Sequence, residues 1–515
     1  MVVLALIAGA CADDEPATIG PGGGDWILEA ARAGADLTTV PGGPGAGVTD
    51  GGSGVDGDVP VIEWDEPDGA GFATGRMAVP VDHDDPDGAT IELGLVRYAA
   101  GDPDRRIGSL LLNPGGPGGS GIELAYFAPF ILGDAVLDRF DVIGFDPRGV
   151  GESTPVTCGD DAFLKEYLAA DPIPDDAAEE AAVAELQAQF VAGCDRLSGD
   201  LLPHIGTEDV ARDMDLIRAA VGDETLTYLG YSYGTLLGAT YAELFPDRVR
   251  ALVLDGAYTR SLTTAELTEG QAAGFEGVFD AFVAWCANRG CGFAREGDPA
   301  TAFDRLMAQI DRTPLPTRLG DRELTVGLAW TGVIAALYTD TAWPQLDAAL
   351  AAASLDGDGT GLLRLADLYN DRAPDGTYAN STFAFVAIGC ADRTPVSPAE
   401  QAALEARLPE VAPRFAPLFL AGEDPCDGWP TPPTATLDPF RAAGAPPILV
   451  IATTGDPATP YAWGQRLAEE LESGVLVTYQ GDVHTVYGSG VGCVDDLVDA
   501  YLIDLEVPDE GVVCG

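Results

Sequence analysis

Residues 226–249 read LTYLGYSYGTLLGATYAELFPDRV. Leu226 to Leu229 form a short apolar run of the buried-strand type. Leu236, Leu237, Ala239, Thr240, Tyr241 and Leu244 then recur at helical spacing, and Pro246 ends the helix. Between the two the chain must turn sharply around Ser232. Gly230 and Gly234 flank that serine at two residues on either side, where a Cβ would crowd the turn. The pattern predicts a serine in strained backbone angles at the C-terminal end of a strand. Its hydroxyl is held over a helix N-terminus that favours developing negative charge. A G-x-S-x-G arises by chance in a chain with 65 glycines. The strand before it and the helix after it are what make Ser232 a candidate nucleophile.

Outward from this turn, further apolar runs occur at 107–113 (IGSLLLN), 140–146 (FDVIGFD), 249–257 (VRALVLDGA), 446–456 (PPILVIATTGD) and 474–482 (GVLVTYQGD). Helical patterns separate several of them, which is the alternation of a doubly wound, mostly parallel α/β sheet. GRMAVPVDH and TIELGLVRYAA, either side of DDPDGA, read as an antiparallel pair. Between Ala257 and Pro446 the chain is too long for a simple crossover and is rich in helical Ala/Leu patterns. Residues 258–445 are therefore expected to be an inserted helical lid over the strand C-termini, where open α/β sheets bind ligands. The expected organisation is a signal segment at 1–11, a flexible acidic, Gly-rich tether at 12–58 and a first core segment at 59–257. The lid at 258–445 and a second core segment at 446–515 complete it. A short helix near Trp26–Ala33 is the one element expected in the tether, and 155–205 a smaller excursion.

The chain has 515 residues, 46% of them hydrophobic, enough for one large domain with an insertion. With 83 acids against 27 Lys and Arg, and Lys165 the sole lysine, its net charge is −56. That balance argues against nucleic acid and anionic membrane surfaces as partners. Residues 2–10 (VVLALIAGA) followed by Cys11 resemble the end of a lipoprotein signal, so export and a lipid anchor at Cys11 are expected, that anchor being the sole membrane attachment. The other eight cysteines suggest four disulfides in an exported chain. Eight cysteines allow 105 pairings, and proximity favours Cys158–Cys194, Cys286–Cys291, Cys390–Cys426 and Cys493–Cys514. No C-x-x-C occurs, so neither a zinc site nor any cofactor is expected.

A serine needs a base. In this architecture the partners follow the nucleophile in the order acid, then histidine. Of the three histidines, His83, His204 and His484, only His484 lies beyond Ser232. Asp456 follows the preceding strand and is the expected acid. Asp482 competes with it but is too near His484 in the chain to approach the ring from behind. The oxyanion donors expected are the backbone N–H groups of Tyr233 and of Gly116 in NPGGPGGSG. The similar VPGGPGAG at 40–47 has no strand before it and reads as linker. Asp146 and Arg148, in FDPRGVGES, read as loop ties rather than catalysts.

VPVDH, NPGGPGGSG, FDPRGVGES, DVARDMDLIRAAVG, GYSYGTLLGATYAELFPDRVRALVLDG, TTGDPATPY and the terminal GVVCG together resemble the secreted tripeptidyl/prolyl aminopeptidase group of α/β hydrolases over about residues 60–515. The resemblance implies an α/β-hydrolase fold with a helical lid, and Ser232, Asp456 and His484 as nucleophile, acid and base. It further implies a peptide substrate with a free N-terminus, from which short peptides or residues are released. Glu269 and Glu276 are the candidates to hold that terminus. An esterase with the same triad, or a surface-tethered binding protein that kept the fold, are the alternatives.

Overall fold

The structure is a computed structural model describing residues 59–515 except 296 and 421–423. The segments expected at 1–11 and 12–58, including Cys11, the helix near Trp26–Ala33 and the stretch 40–47, lie outside the described residues.

Ten strands form one sheet: β1 (Glu63–Trp64), β2 (Phe72–Pro80), β3 (Thr90–Tyr98), β4 (Gly108–Asn113), β5 (Phe140–Phe145), β6 (Leu226–Tyr231), β7 (Val249–Asp255), β8 (Ile448–Thr453), β9 (Gly474–Tyr479) and β10 (Val513–Cys514). Their spatial order is β1-β2-β3-β5-β4-β6-β7-β8-β9-β10. The pairs from β1 to β5 are antiparallel, and every pair from β5 onward is parallel. All six residues of β4, β6 and β8 are buried, which explains why these strands read as predominantly apolar runs without polar alternation. Their side chains nonetheless alternate between two cores. Leu111, Tyr228, Leu252 and Val450 face one, while Leu110, Leu112, Leu229, Val253 and Leu449 face the other.

The helices that matter below are α1 (Gly121–Ile131), α2 (Ala177–Ser198), α3 (Thr207–Ala220), α4 (Tyr233–Leu244), α5 (Thr264–Arg289), α6 (Val326–Leu337), α7 (Ser381–Asp392), α8 (Pro398–Val411), α9 (Tyr461–Glu470) and α10 (Gly492–Asp504). α3, α4 and α9 cover one face of the sheet, and α1 and α10 cover the other. A third core is built entirely from residues 272–416, among them Phe279, Phe303, Trp330 and Phe415. One helix of the inserted region behaves differently. Phe383, Ala384, Ala387 and Ile388 of α7 belong to the sheet-side core, and Asn380 just before it donates to the carbonyls of Gly149 and Val156 at 2.8 and 2.9 Å. The inserted chain is thus anchored into the sheet domain rather than resting on it.

Four disulfides close as chain proximity suggested: Cys158–Cys194, Cys286–Cys291, Cys390–Cys426 and Cys493–Cys514. Among the described residues no helix is long and apolar enough to cross a membrane.

Candidate active site

Ser232 sits between β6 and α4 with φ 54° and ψ −122°, a conformation an L-residue adopts only at a cost. Its N–H donates to the carbonyl of Asp255 at the end of β7, 2.8 Å away. The flanking glycines are required by packing. A Cβ on Gly230 would lie 2.4 Å from the carbonyl oxygen of Gly234, and one on Gly234 would lie 2.9 Å from that of Asn113. Tyr233 opens α4, so its N–H has no carbonyl within the helix to reach. Gly115, in the loop after β4, runs so close to the turn that a Cβ there would stand 2.9 Å from both Ser232 Cβ and Tyr233 N. This approach brings Gly116 to the wall of a cavity of ≈ 680 Å³ that Ser232 and Tyr233 also line.

His484 and Asp456 meet at the adjoining strand ends. Nδ1 of His484 lies 2.9 Å from both carboxylate oxygens of Asp456. A nitrogen facing two carboxylate oxygens carries the proton, which leaves Nε2 as the basic atom. Asp456 is itself fixed by the N–H groups of Ala458 and Thr459 at 2.9 and 2.8 Å and by the Thr459 hydroxyl at 2.9 Å. The imidazole packs edge-on to Tyr338, ring centres 5.3 Å apart, and the His484 N–H donates to the Tyr338 carbonyl at 2.8 Å. The residue after α6 therefore grips the histidine loop from the lid side. On the sheet side, a Cβ on Gly256 would lie 3.0 Å from Cε1 of the ring. The Ser232 hydroxyl has no hydrogen-bond partner among the described residues and opens onto the cavity.

The two acids expected to hold a substrate amino group, Glu269 and Glu276, are both paired with arginines away from the cavity. Both lie on α5. The Glu276 carboxylate is buried and accepts from the N–H groups of Arg414 and Phe415 at 2.8 and 3.2 Å and from the Arg414 guanidinium at 3.1 Å. Glu269 pairs with Arg407 of α8 at 3.3 Å. Neither residue lines the cavity. Three aspartates do, Asp392, Asp424 and Asp427; the one that sequence reasoning missed and that is fixed by bonds to the sheet domain is Asp392 at the end of α7. It accepts from the Thr207 N–H at 3.0 Å and the Thr207 hydroxyl at 2.6 Å. That hydroxyl also lies 2.5 Å from the Tyr233 phenol. Burial pushes the Asp392 carboxyl up to about 6. Among 83 acids no local pattern singles it out; its place beside Cys390, at the end of an apolar helical run, is the only signal.

Arg148 is a tie, as expected. Its side chain is fully buried and bonds to Asp213 through Nε and Nη2, both at 2.7 Å, and to the carbonyls of Val81, His204 and Pro80. Asp146 is likewise buried, accepting from Ser120 Oγ at 2.6 Å and from the Ile122 and Glu152 N–H groups.

The chain is 43% identical over 462 residues to the serine protease Hip1 of Mycobacterium tuberculosis, covering 86% of this chain and 87% of that one. A family model described as alpha/beta hydrolase fold matches residues 108–355, and one described as TAP-like protein matches 412–514. The chain belongs to the TAP-like α/β hydrolases. It is 40% identical over 491 residues to carboxylesterase B of Mycobacterium tuberculosis, covering 92% of each chain. With a tripeptidyl aminopeptidase of Streptomyces lividans it shares 31% over 477 residues, covering 90% of this chain and 87% of that one. A serine hydrolase of the α/β type is what this family membership makes it.

Proposed function

We propose that this chain is a serine exopeptidase that cleaves amide bonds near the free amino terminus of peptides. The observations that carry the chemistry are the Asp456 carboxylate on Nδ1 of His484 and Ser232 in a strained turn whose N–H is tied to Asp255, the residue before the Gly256 that packs against the imidazole. Nε2 of His484 takes the proton of Ser232 as Oγ attacks the amide carbonyl. The N–H groups of Gly116 and Tyr233 receive the oxyanion. His484, its charge stabilised by Asp456, then protonates the departing amine, and water resolves the acyl-enzyme by the reverse route.

The choice of substrate end rests on Asp392. A half-buried carboxylate in the cavity wall, its pKa raised to about 6 by lost hydration, gains from a cationic partner. A peptide's terminal ammonium is such a partner. The name of the Streptomyces relative supports the same reading. Four disulfides support export, with a lipid on Cys11 as the membrane attachment.

The second reading, an esterase, draws on the name of one relative. The test compares chromogenic tripeptide amides with free termini, the same amides N-acetylated, and short acyl esters. Turnover of the free amides with at least about tenfold loss on acetylation is expected. Cleavage of esters alone refutes the peptidase reading.

A further inference from the structure

Asp255 closes β7 and is completely buried, yet the chemistry above gives its side chain no task. Its main chain and side chain reach opposite halves of the site. The carbonyl accepts the Ser232 N–H at 2.8 Å. One carboxylate oxygen, Oδ2, accepts both the Val486 and the Tyr487 N–H, each at 2.8 Å. Those two residues follow His484 after a single intervening residue, Thr485.

Thr485 is what makes the clamp necessary. It is buried and has φ 66°, the left-handed region, which a β-branched residue enters only under constraint. A loop left to itself would relax by swinging Thr485 back to negative φ, and the imidazole on the preceding residue would turn with it. Two N–H groups pinned directly behind the strained residue prevent that. Gly256, the next residue after Asp255, gives the ring the room it then occupies, since a Cβ there would lie 2.9 Å from Thr485 Cγ2 and 3.0 Å from His484 Cε1.

The clamp is unfavourable to bury. Oδ1 of Asp255 has no partner among the described residues, and burial pushes the carboxyl up to about 7. An apolar side chain would fill the same space without that cost. Such a cost is expected where it holds a geometry that function needs.

We propose that Asp255 is a positioning residue for the hydrolysis, setting the reach of His484 toward Ser232 by pinning the peptide N–H groups behind the strained Thr485. It touches no reacting atom. The inference rests on Ser232 and His484 carrying the reaction.

The test measures kcat and KM on the best tripeptide amide for Asp255→Ala, Asp255→Asn, Thr485→Gly and Asp255→Ala/Thr485→Gly, with folded protein quantified by circular dichroism. Misplacing a catalytic group by about 1 Å costs on the order of 100-fold, so Asp255→Ala is expected to lower kcat by about 10- to 100-fold with KM within about twofold. Asp255→Asn keeps an acceptor oxygen and is expected to stay within about threefold of the parent. Glycine adopts positive φ without the Cβ penalty. Thr485→Gly is therefore expected to return about fivefold or more of the lost kcat in the alanine background while changing the parent little, a recovery that a merely structural role would not give. Should Asp255→Ala not fold, Asp255→Ser, whose hydroxyl is too short to bridge both N–H groups, replaces it with the same expectations.

Unchanged kcat per folded molecule in the alanine or serine variant, or no recovery on adding Thr485→Gly, overturns the inference. Labelling of the parent with a fluorophosphonate separates the two failures. A parent that turns over substrate yet is not labelled at Ser232 refutes the catalytic reading. A labelled parent with an indifferent Asp255 refutes only the positioning role.

Discussion

Replacing Arg148 by methionine removes the most heavily bonded buried cation in the sheet domain. The side chain is 0% exposed, as is that of Asp213, its ion-pair partner. Breaking a buried pair by deleting one member typically costs about 3–5 kcal/mol, because the remaining charge is left uncompensated. Here His83, 3.0 Å from Asp213, remains as a partial partner, which pulls the figure down. The carbonyls of Pro80, Val81 and His204 lose their donor, which pushes it up. A loss of about 4 kcal/mol is expected, a large share of the roughly 5–15 kcal/mol that holds a folded domain together. Arg148→Met/Asp213→Leu is expected to recover about half of it, since an apolar pair of similar volume leaves no orphan charge. Urea unfolding followed by circular dichroism reads both, as a shift of midpoint at constant slope. The pH dependence has a definite sign. Burial pushes the Asp213 carboxyl up, but Arg148 and His83 outweigh it and hold the group below the ordinary 3.8. The stability it contributes is thus complete above that value and is lost as pH falls through the still lower folded value. In Arg148→Met desolvation of Asp213 is opposed only by His83, so its carboxyl stands higher than in the parent; the gap should be largest near neutral pH and shrink as falling pH protonates the orphaned carboxylate. A single variant that loses less than about 1 kcal/mol, or a double variant no more stable than the single, refutes the reasoning.

Other consequences follow from the same geometry. Cys493–Cys514 ties β10 to the start of α10 across 21 residues; loop closure of that length is worth about 3 kcal/mol. Cys493→Ser/Cys514→Ser should lower stability by about that much in the same urea assay, and an unchanged midpoint contradicts this. Asp392 predicts a pH effect on binding. Because its pKa stands near 6 and the ionised form attracts an ammonium, KM for free-terminus substrates should fall as pH rises through that value. In Asp392→Asn the KM should be about tenfold higher and flat across that window, with acyl-ester turnover little changed; a variant that keeps the parent's KM profile removes Asp392 from substrate recognition.

The parallel strands were legible because burial on both faces leaves mostly apolar residues in β4, β6 and β8. β1 and β10 were not: two residues each carry no periodicity, and only pairing with a neighbour makes them strands. The meeting of Asp456 with His484 was legible from chain order and strand-end position, and the structure joins them at 2.9 Å rather than pairing the ring with Asp482. The placement of Glu269 and Glu276 away from the cavity was not legible, for a physical reason. On α5 a glutamate looks alike whether it faces solvent or a distant partner, and Glu276 is consumed by Arg414, 138 residues away. Asp392 and Asp255 escaped notice because the environment that makes them distinctive, half-buried for the first and fully buried for the second, is set by contacts from other parts of the chain. Thr207 and α4 surround one, and the loop after His484 surrounds the other. The docking of α7 into the sheet-side core was hidden likewise, since its apolar run reads the same in a lid as in a core.

The central claim is that Ser232 is made nucleophilic by His484 and Asp456, and covalent labelling with a fluorophosphonate reads it most directly. Intact mass followed by peptide mapping should show one adduct, on Ser232. The adduct should be absent in Ser232→Ala and form at least about 100-fold more slowly in His484→Ala. No adduct on the parent, an adduct on another residue, or a His484→Ala variant labelled at the parent's rate would contradict the account.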